Sequence, residues 1–265
     1  MKRILAVLLA CLMLFGCLAC KAKPTTEPNN SEGTQPQQSE GADVDVPDEP
    51  ADAVTPQKGG KLSIAYLGDA VTFVPYLIRN PADGVFMQGC YETLLQFSAN
   101  GEVEPYLAKS YTADVENLKY TFVLNEGVKF HDGSELTAEV AKYCLDNYKE
   151  KGIQSAAFFA FIDRIEVVDE YTFDIYMTEW DSTLPHALAR GCGYIYSMEA
   201  FEAVGEEGFN EKPIGSGPFM VESREFDVKL TLVRFDDYWQ GTPYLDAVEY
   251  VVYGNEVVAQ AALEN

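Results

Sequence analysis

A long polar segment near the N-terminus limits which part of this chain can fold. Residues 21–57 contain six prolines and eight acidic side chains but no aromatic residue. Such a composition cannot bury enough apolar surface to offset the conformational entropy that folding removes. We therefore predict that residues 21–57 form an extended, disordered tether, and that the globular domain occupies residues 58–265.

The residues before the tether have the pattern of an export signal. Two basic residues precede the apolar run Ile4 to Phe15, which is short for a membrane span but typical of a signal-peptide core. The following motif, Leu14 to Cys17, resembles the lipobox at which bacterial lipoproteins are cleaved and lipidated. This resemblance implies a signal peptide over residues 1–16 and a lipid on Cys17, with Cys20 as the alternative anchor.

An ordinary secretory signal with incidental cysteines is the other interpretation, because Phe15 is bulkier than the residue usual at that position of the lipobox. The tether after Cys17 favours the lipoprotein. A lipid anchor followed by a spacer predicts a protein on the outer face of the bacterial cytoplasmic membrane, at its extracellular or periplasmic side. No polybasic patch accompanies the anchor, so the lipid alone would provide attachment.

Charge and motif content exclude several classes of function. The chain has 42 acidic and 19 basic residues, a net charge of −23, which repels nucleic acid. The sequence contains neither a phosphate-binding loop nor a serine-hydrolase elbow, and its two histidines and six cysteines form no zinc signature. We predict no catalytic residues, no metal site and no cofactor. We also predict no disulfide framework from Cys90, Cys144 and Cys192.

Strand and helix signals are mixed along the globular domain. Apolar and polar residues alternate around Tyr120 and Phe122, a pattern typical of a half-buried strand. Thr137 can cap a helix in which Val140, Ala141, Cys144, Leu145 and Tyr148 share one apolar face. Because no regular βαβ repeat appears, we predict an α+β (mixed α/β) fold. We also predict strands at 61–67, 219–222, 228–233 and 247–253, a hairpin turning at 169–170, and short helices at 182–190 and 199–204.

Six segments of the globular domain occur in a recognisable order. They are GGKLSIAY (59–66), YETLLQFSANGEVEPYLAKSY (91–111), LKYTFVLNEGVKFHDGSELTAE (118–139), IDRIEVVDEYTFDIYM (162–177), IGSGPF (214–219) and DDYWQGTPYLDAVEY (236–250). In this order and spacing they resemble family 5 extracellular solute-binding proteins of ABC importers, which bind oligopeptides, dipeptides or nickel.

The resemblance implies a fold and a function. The fold would be of the type II periplasmic-binding-protein kind, comprising a first lobe that carries an inserted small domain. The protein would not be an enzyme. It would be the substrate-binding lipoprotein of an ABC transporter, delivering peptides or a similar small solute to permease subunits in the membrane.

The sequence departs from the family pattern in places. Val74 precedes Pro75 where the family often has Asp, and Val140 follows Thr-Ala-Glu where Asp is usual. Family members are also much longer than this chain, which ends inside a predicted helix that begins near Asn255. We therefore expect an N-terminal portion without the second lobe, which binds solute weakly or not at all. The alternative is a truncated product without a transport role, or a surface lipoprotein acting as an adhesin or antigen.

The family also indicates where ligand contacts would lie. An extended segment after the first strand faces the cleft and can pair with a bound peptide, and by order this segment is Ile78, Arg79 and Asn80. Arg79 would meet a ligand carboxylate or would simply be a solvated loop residue. In the region after the family's signature helix, Phe158 or Phe161 would form a cleft wall or would pack between lobe and sheet.

Three other features have structural interpretations. His131 is expected to be a turn residue and His186 a helix-end residue, rather than nickel ligands. The adjacent carboxylates Asp236 and Asp237 are expected to form a turn before Tyr238, rather than an acid–base pair.

Overall fold

A computed structural model describes residues 56–264 of the chain. The predicted signal peptide, the anchor candidates Cys17 and Cys20, and the tether up to residue 55 lie outside the described residues. Those expectations therefore stay predictions. Among residues 56–264, no helix combines the length and apolar character needed to cross a membrane.

The described residues form twelve strands and six α-helices. The strands are β1 (Lys61–Leu67), β2 (Glu92–Thr93), β3 (Leu95–Phe97), β4 (Val103–Pro105), β5 (Ala108–Asp114), β6 (Lys119–Leu124), β7 (Ile162–Asp169), β8 (Thr172–Met177), β9 (Tyr194–Ile195), β10 (Phe219–Glu225), β11 (Lys229–Arg234) and β12 (Ala247–Tyr253). The helices are α1 (Pro81–Met87), α2 (Ala138–Lys151), α3 (Ala156–Phe159), α4 (Leu184–Leu188), α5 (Met198–Glu211) and α6 (Glu256–Leu263). Short 3-10 turns lie at Pro75–Leu77 and Gly191–Gly193.

One four-stranded sheet joins the two ends of the globular domain. Its strand order is β1-β12-β11-β10. The outer strand β1 runs parallel to β12, from Lys61 opposite Ala247 to Leu67 opposite Tyr253, and the other neighbours are antiparallel. Because β1 and β12 are so distant in sequence, the position of the loop that follows β1 depends on a long-range pairing.

The second four-stranded sheet is antiparallel, with the order β5-β6-β8-β7. Burial alternates along β6, where Tyr120, Phe122 and Leu124 are buried, as the sequence pattern predicts. The predicted hairpin is confirmed as β7 and β8. Two-stranded sheets, β2 with β9 and β3 with β4, complete the β-structure among the described residues.

Helix α2 is the main helix packed on the second sheet, where it contacts β7 and β8. It begins after Thr137, whose hydroxyl accepts a hydrogen bond from the Val140 amide at 3.4 Å. The predicted apolar face is confirmed, since Val140, Ala141, Cys144, Leu145 and Tyr148 are all buried. The fold class predicted from the mixture of signals is likewise confirmed.

Some predicted boundaries were wrong. The helix predicted at 199–204 extends through Glu211, with a break at Gly205, whose positive φ of 69° suits glycine. The helix predicted at 182–190 is shorter in the structure, where α4 spans only Leu184–Leu188. The predicted C-terminal helix is α6, capped by the Asn255 side chain.

The core of the described residues is one contiguous cluster in which aromatic rings are prominent. Tyr76, Tyr196 and Phe201 meet there, with ring centroids 5.4–6.5 Å apart. The free thiols of Cys90 and Cys144 are buried within the same cluster, and Cys192 is partly buried at its edge. The prediction that Cys144 is a small core residue is therefore confirmed.

Candidate functional site

A cavity of about 970 Å³ opens on the surface of the described part of the chain. Its walls come from four parts of the chain: residues 75–84, residues 88–97 with Tyr106, residues 154–158 with Tyr148, and residues 189–194. A cavity of this volume lies at the upper end of the range that small-molecule sites occupy. Its lining combines aromatic rings, amide side chains and arginines, a mixture suited to a polar solute with some apolar surface.

The first wall segment is held in place by one buried carboxylate, Asp83. Its Oδ2 atom accepts hydrogen bonds from the amides of Arg79 and Asn80, at 2.8 and 3.1 Å. Its Oδ1 atom accepts from the Val71 amide at 2.6 Å and the Thr72 amide at 3.3 Å. The side-chain oxygen of Asn80 accepts a hydrogen bond from the Asp83 amide in return, at 3.0 Å, and this pair of bonds forms a capping box at the start of α1.

This arrangement places Ile78, Arg79 and Asn80, which the resemblance predicts to contact a ligand, on the cavity wall. The backbone amides of Arg79 and Asn80 are already bonded to Asp83, however. Pairing of a peptide strand with these two amides would have to displace those bonds. The side chains and carbonyl groups of this segment are therefore its better-placed contacts for a solute.

The structure separates the two phenylalanines predicted for the cleft wall. Phe158 lines the cavity, and 42% of its surface is exposed. Phe161 is similarly exposed but does not line the cavity. Between them, Phe159 is buried and stacks on Tyr148, with ring centroids 5.7 Å apart. Helix α3 is thus fixed by Phe159, and Phe158 is left facing the cavity.

A second buried carboxylate, Glu92, organises another part of the wall. It accepts from the Tyr238 hydroxyl at 2.6 Å, the Ser216 hydroxyl at 2.7 Å, and the Trp239 indole N–H at 3.0 Å. Burial raises the pKa of Glu92, and these donors oppose that rise. The Tyr238 hydroxyl also contacts that of Tyr106 at 3.4 Å. Glu92 therefore ties the 236–239 segment to the cavity wall.

His131 and His186 do not form a metal site. The Nε2 atom of His131 donates to the Gly217 carbonyl at 2.9 Å, and its Nδ1 atom accepts from the Gly215 amide at 3.3 Å. Burial lowers the pKa of His131 to about 4, so the ring is neutral at pH 7. His186 is exposed on α4, 6.1 Å from the Phe97 ring. Among the described residues, no group of three metal-ligating side chains converges on one point.

Asp236, which was weighed as half of an acid–base pair, has a structural partner instead, because its Oδ1 atom pairs with the guanidinium of Arg234 at 2.7 Å.

Several residues of the cavity wall were not predicted from the sequence, among them Arg190, Cys192 and Gln154. The Gly-Cys-Gly sequence after Arg190 was the available signal, since glycines permit close backbone approach beside a cavity. Gly191 does lie close to the opposite wall, because a Cβ atom at this position would be only 3.0 Å from the Cδ1 atom of Ile78.

Comparisons with known proteins agree with this geometry. The family model described as "Bacterial extracellular solute-binding proteins, family 5 Middle" matches residues 102–265. The glutathione-binding protein GsiB of Salmonella paratyphi A is 28% identical over 191 residues, which cover 71% of this chain and 37% of that protein.

Solved structures give the same result. The oligopeptide-binding protein AppA of Bacillus subtilis, in complex with a nonapeptide, superimposes with a TM-score of 0.73 at 30% identity, over 79% of this chain and 43% of AppA. The binding protein MoaA of A. tumefaciens R10, in complex with mannopinic acid, superimposes with a TM-score of 0.72 at 27% identity. The match covers 78% of this chain and 43% of MoaA. The chain thus spans less than half the length of these relatives.

The fold is that of type II periplasmic binding proteins. The chain belongs to family 5 of the bacterial extracellular solute-binding proteins. The resemblance predicted from the six sequence segments is confirmed. Members of this family are solute-binding proteins and not enzymes, as the sequence predicts.

Proposed function

We propose that this chain supplies a solute-binding site to an ABC importer, and that the solute is a peptide or a molecule of similar size. The carrying observation is the cavity of about 970 Å³, whose wall includes the predicted segment Ile78–Asn80 and Phe158. The relatives support the size range, because AppA holds a nonapeptide and GsiB is named for binding glutathione. The partners of this function would be the solute and the permease subunits of the importer.

We also propose that the protein is held on the outer face of the cytoplasmic membrane by a lipid on Cys17. The support is the sequence motif of residues 14–17 and the acidic, proline-rich segment that follows. Metabolic labelling with a fatty-acid probe should mark the wild-type protein and fail on Cys17→Ser. Label retained by Cys17→Ser but lost from Cys20→Ser would move the anchor to Cys20.

A cavity-blocking substitution tests solute binding. Gly84 lines the cavity, and a Cβ built on it meets nothing within 4 Å. Gly254 has the same open surroundings but does not line the cavity, and neither glycine has positive φ. The pair Gly84→Phe and Gly254→Phe therefore compares a ring placed in the cavity with the same ring placed outside it.

The measurement is equilibrium dialysis of the purified protein against a mixture of di- to pentapeptides, with mass spectrometry of what is retained. We expect retention by the wild type and by Gly254→Phe, and a loss of at least tenfold in Gly84→Phe. Equal retention by both variants would place the solute elsewhere on the protein. No retention by the wild type would contradict the proposal that this chain supplies a solute-binding site by itself.

A further inference from the structure

The cavity wall includes one tyrosine that is coupled to a buried charge. Tyr106 is partly exposed and lines the cavity, and its hydroxyl lies 3.4 Å from the hydroxyl of Tyr238. The Tyr238 hydroxyl lies in turn 2.6 Å from the carboxylate of Glu92. A chain of two hydroxyl groups therefore leads from the buried carboxylate to a side chain that a solute can contact.

The groups around Glu92 favour its ionised form. The indole N–H of Trp239, which can only donate, contacts both carboxylate oxygens, at 3.1 and 3.0 Å. The Ser216 hydroxyl donates to one of these oxygens at 2.7 Å, and the Tyr238 hydroxyl donates to the other. Burial raises the pKa of Glu92, but these donors oppose the rise. Within residues 56–264 no basic side chain forms an ion pair with Glu92, so the carboxylate depends on hydrogen-bond donors.

The carboxylate determines the direction of both hydrogen bonds that follow it. Because an ionised carboxylate has no proton, the single proton of the Tyr238 hydroxyl must point to Glu92. The Tyr238 oxygen can then only accept from Tyr106, so the Tyr106 proton is committed as well. Burial and the negative charge of Glu92 raise the pKa of Tyr106, so its hydroxyl keeps this proton. What remains of the Tyr106 hydroxyl for a solute is the acceptor lone pair of its oxygen.

The position of Tyr106 is fixed by its neighbours. The side-chain amide of Asn125 donates to the carbonyl oxygens of Tyr106 and Leu107, at 2.7 and 3.0 Å. The Tyr106 ring also packs beside the Trp239 ring, with centroids 6.2 Å apart. An acceptor that is held in place before binding forms a hydrogen bond at a small cost in conformational entropy.

We propose that Tyr106 determines part of the specificity of this cavity, where its hydroxyl oxygen accepts a hydrogen bond from an amide N–H group of the solute. The inference rests on the proposed function, because it names the chemical group that one wall residue recognises. Tyr238 is a positioning residue in this arrangement, since it acts on the solute through Tyr106. A peptide meets the requirement, because each of its non-proline peptide groups presents an N–H donor.

Two other roles of Tyr106 make different predictions. Its hydroxyl and ring contact the 236–239 segment, so its role could be structural alone. Loss of the hydroxyl would then weaken folding but leave solute retention by the folded protein unchanged. In the opposite polarity, the Tyr106 hydroxyl would donate to a carbonyl group of the solute. Removal of the Tyr238 hydroxyl would then free the Tyr106 proton and strengthen binding.

The test compares peptides with esters of the same sequence. The purified protein is dialysed against di- to pentapeptides and against the matching depsipeptides, in which an ester oxygen replaces each amide N–H. The variants are Tyr106→Phe and Tyr238→Phe. Tyr171→Phe is the matched control, because the Tyr171 hydroxyl also donates to a carboxylate, that of Glu135 at 2.9 Å, but Tyr171 does not line the cavity. Urea unfolding of each variant establishes that it is folded before dialysis.

We expect the wild type and Tyr171→Phe to retain the peptides at least about fivefold more strongly than the depsipeptides, which is the effect of one neutral hydrogen bond. Tyr106→Phe should lower peptide retention about fivefold and leave depsipeptide retention unchanged. Tyr238→Phe should lower peptide retention about twofold, because the Tyr106 oxygen can still accept but is no longer polarised through the chain of hydroxyl groups.

The remaining outcomes would overturn the inference. An equal preference for peptides in the wild type and in Tyr106→Phe would do so and leave solute binding intact. Stronger peptide retention by Tyr238→Phe would show that Tyr106 acts as a donor. Should Tyr106→Phe not fold, equal retention of both forms by the wild type overturns the inference, and a preference that Tyr238→Phe reduces supports it. Retention of neither form by the wild type would contradict the proposal that this chain binds solute by itself, and this inference with it.

Discussion

The half-buried side chain of His131 provides a direct test of how this part of the fold is assembled. His131 is neutral in the folded protein, because burial lowers its pKa from the ordinary 6.5 to about 4. Its two ring nitrogens join the Gly215 amide to the Gly217 carbonyl, so a proton added at Nδ1 would break the first of these bonds. The Phe235 ring lies edge-on to the imidazole at 5.0 Å. A charged imidazolium would therefore be poorly accommodated.

The direction and size of the pH effect follow from linkage. Between pH 6.5 and pH 4 the unfolded chain binds a proton at His131 that the folded protein does not bind. The stabilising contribution is complete above pH 6.5 and is lost as the pH falls towards 4. A difference of this size in pKa corresponds to about 3 kcal/mol of unfolding free energy in total, of which about 2 kcal/mol is lost by pH 5.

The perturbation is His131→Gln, whose amide can still donate towards the Gly217 carbonyl but cannot titrate. The matched control is His186→Gln, because His186 is the other histidine of the chain and is exposed. Urea unfolding of each protein at pH 7.5, 6 and 5, followed by the fluorescence of Trp180 and Trp239, gives the free energy of unfolding at each pH.

We expect the wild type and His186→Gln to lose about 2 kcal/mol more than His131→Gln between pH 7.5 and pH 5. Carboxylates are the same in the three proteins, so their titration cancels in this difference. The same slope in His131→Gln as in the wild type would refute the reasoning. Should His131→Gln not fold, an NMR titration of the wild-type imidazole decides the question, since a pKa above 6 contradicts a buried neutral ring.

Three further outcomes are expected. Asp83→Asn should cost about 3 kcal/mol in urea unfolding, because a carboxylate that accepts from four backbone amides becomes a neutral amide; no change would show that the 71–80 loop does not depend on Asp83. Phe122→Ala should cost about 3–5 kcal/mol, because the buried ring stacks on Phe173 at 5.2 Å, and a loss below 1 kcal/mol would contradict that packing. Burial raises the pKa of Cys192 to about 11, so its thiol should react slowly with a maleimide. The reaction should be slower still when peptides occupy the cavity, and an unchanged rate in their presence would place the solute away from Cys192.

The elements that the sequence predicts well are those with a strong local pattern. The alternation around Phe122 and the apolar face of α2 are each set by which side chains meet one surface, so periodicity is enough to find them. The ends of helices were predicted wrongly where they depend on a single residue and not on a repeating pattern of apolar side chains. Gly205 interrupts α5 without ending it, and no local signal distinguishes that break from a helix end.

The site was only partly predictable for a different reason. The resemblance predicted that residues 78–80 and either Phe158 or Phe161 lie beside a ligand, and the structure brings residues 78–80 and Phe158, but not Phe161, to one cavity. It gave no role to Tyr106, because what marks that residue is its contact with the Tyr238 hydroxyl, which forms only in the folded protein. Asp83 was missed as well, since four amides converge on it only after the 71–80 loop has closed.

The loop that follows β1 is fixed from outside as well as by Asp83. Asp69, at the start of the loop, accepts from the Asp227 amide at 2.8 Å and pairs with Arg224 at 3.4 Å. Asn210 of α5 accepts from the Phe73 amide at 2.7 Å. Two side chains from distant parts of the sequence, Arg224 and Asn210, thus hold this loop together with Asp83 before any solute arrives. A wall that is already ordered loses little conformational entropy on binding, so the affinity of the site should depend on the groups it presents.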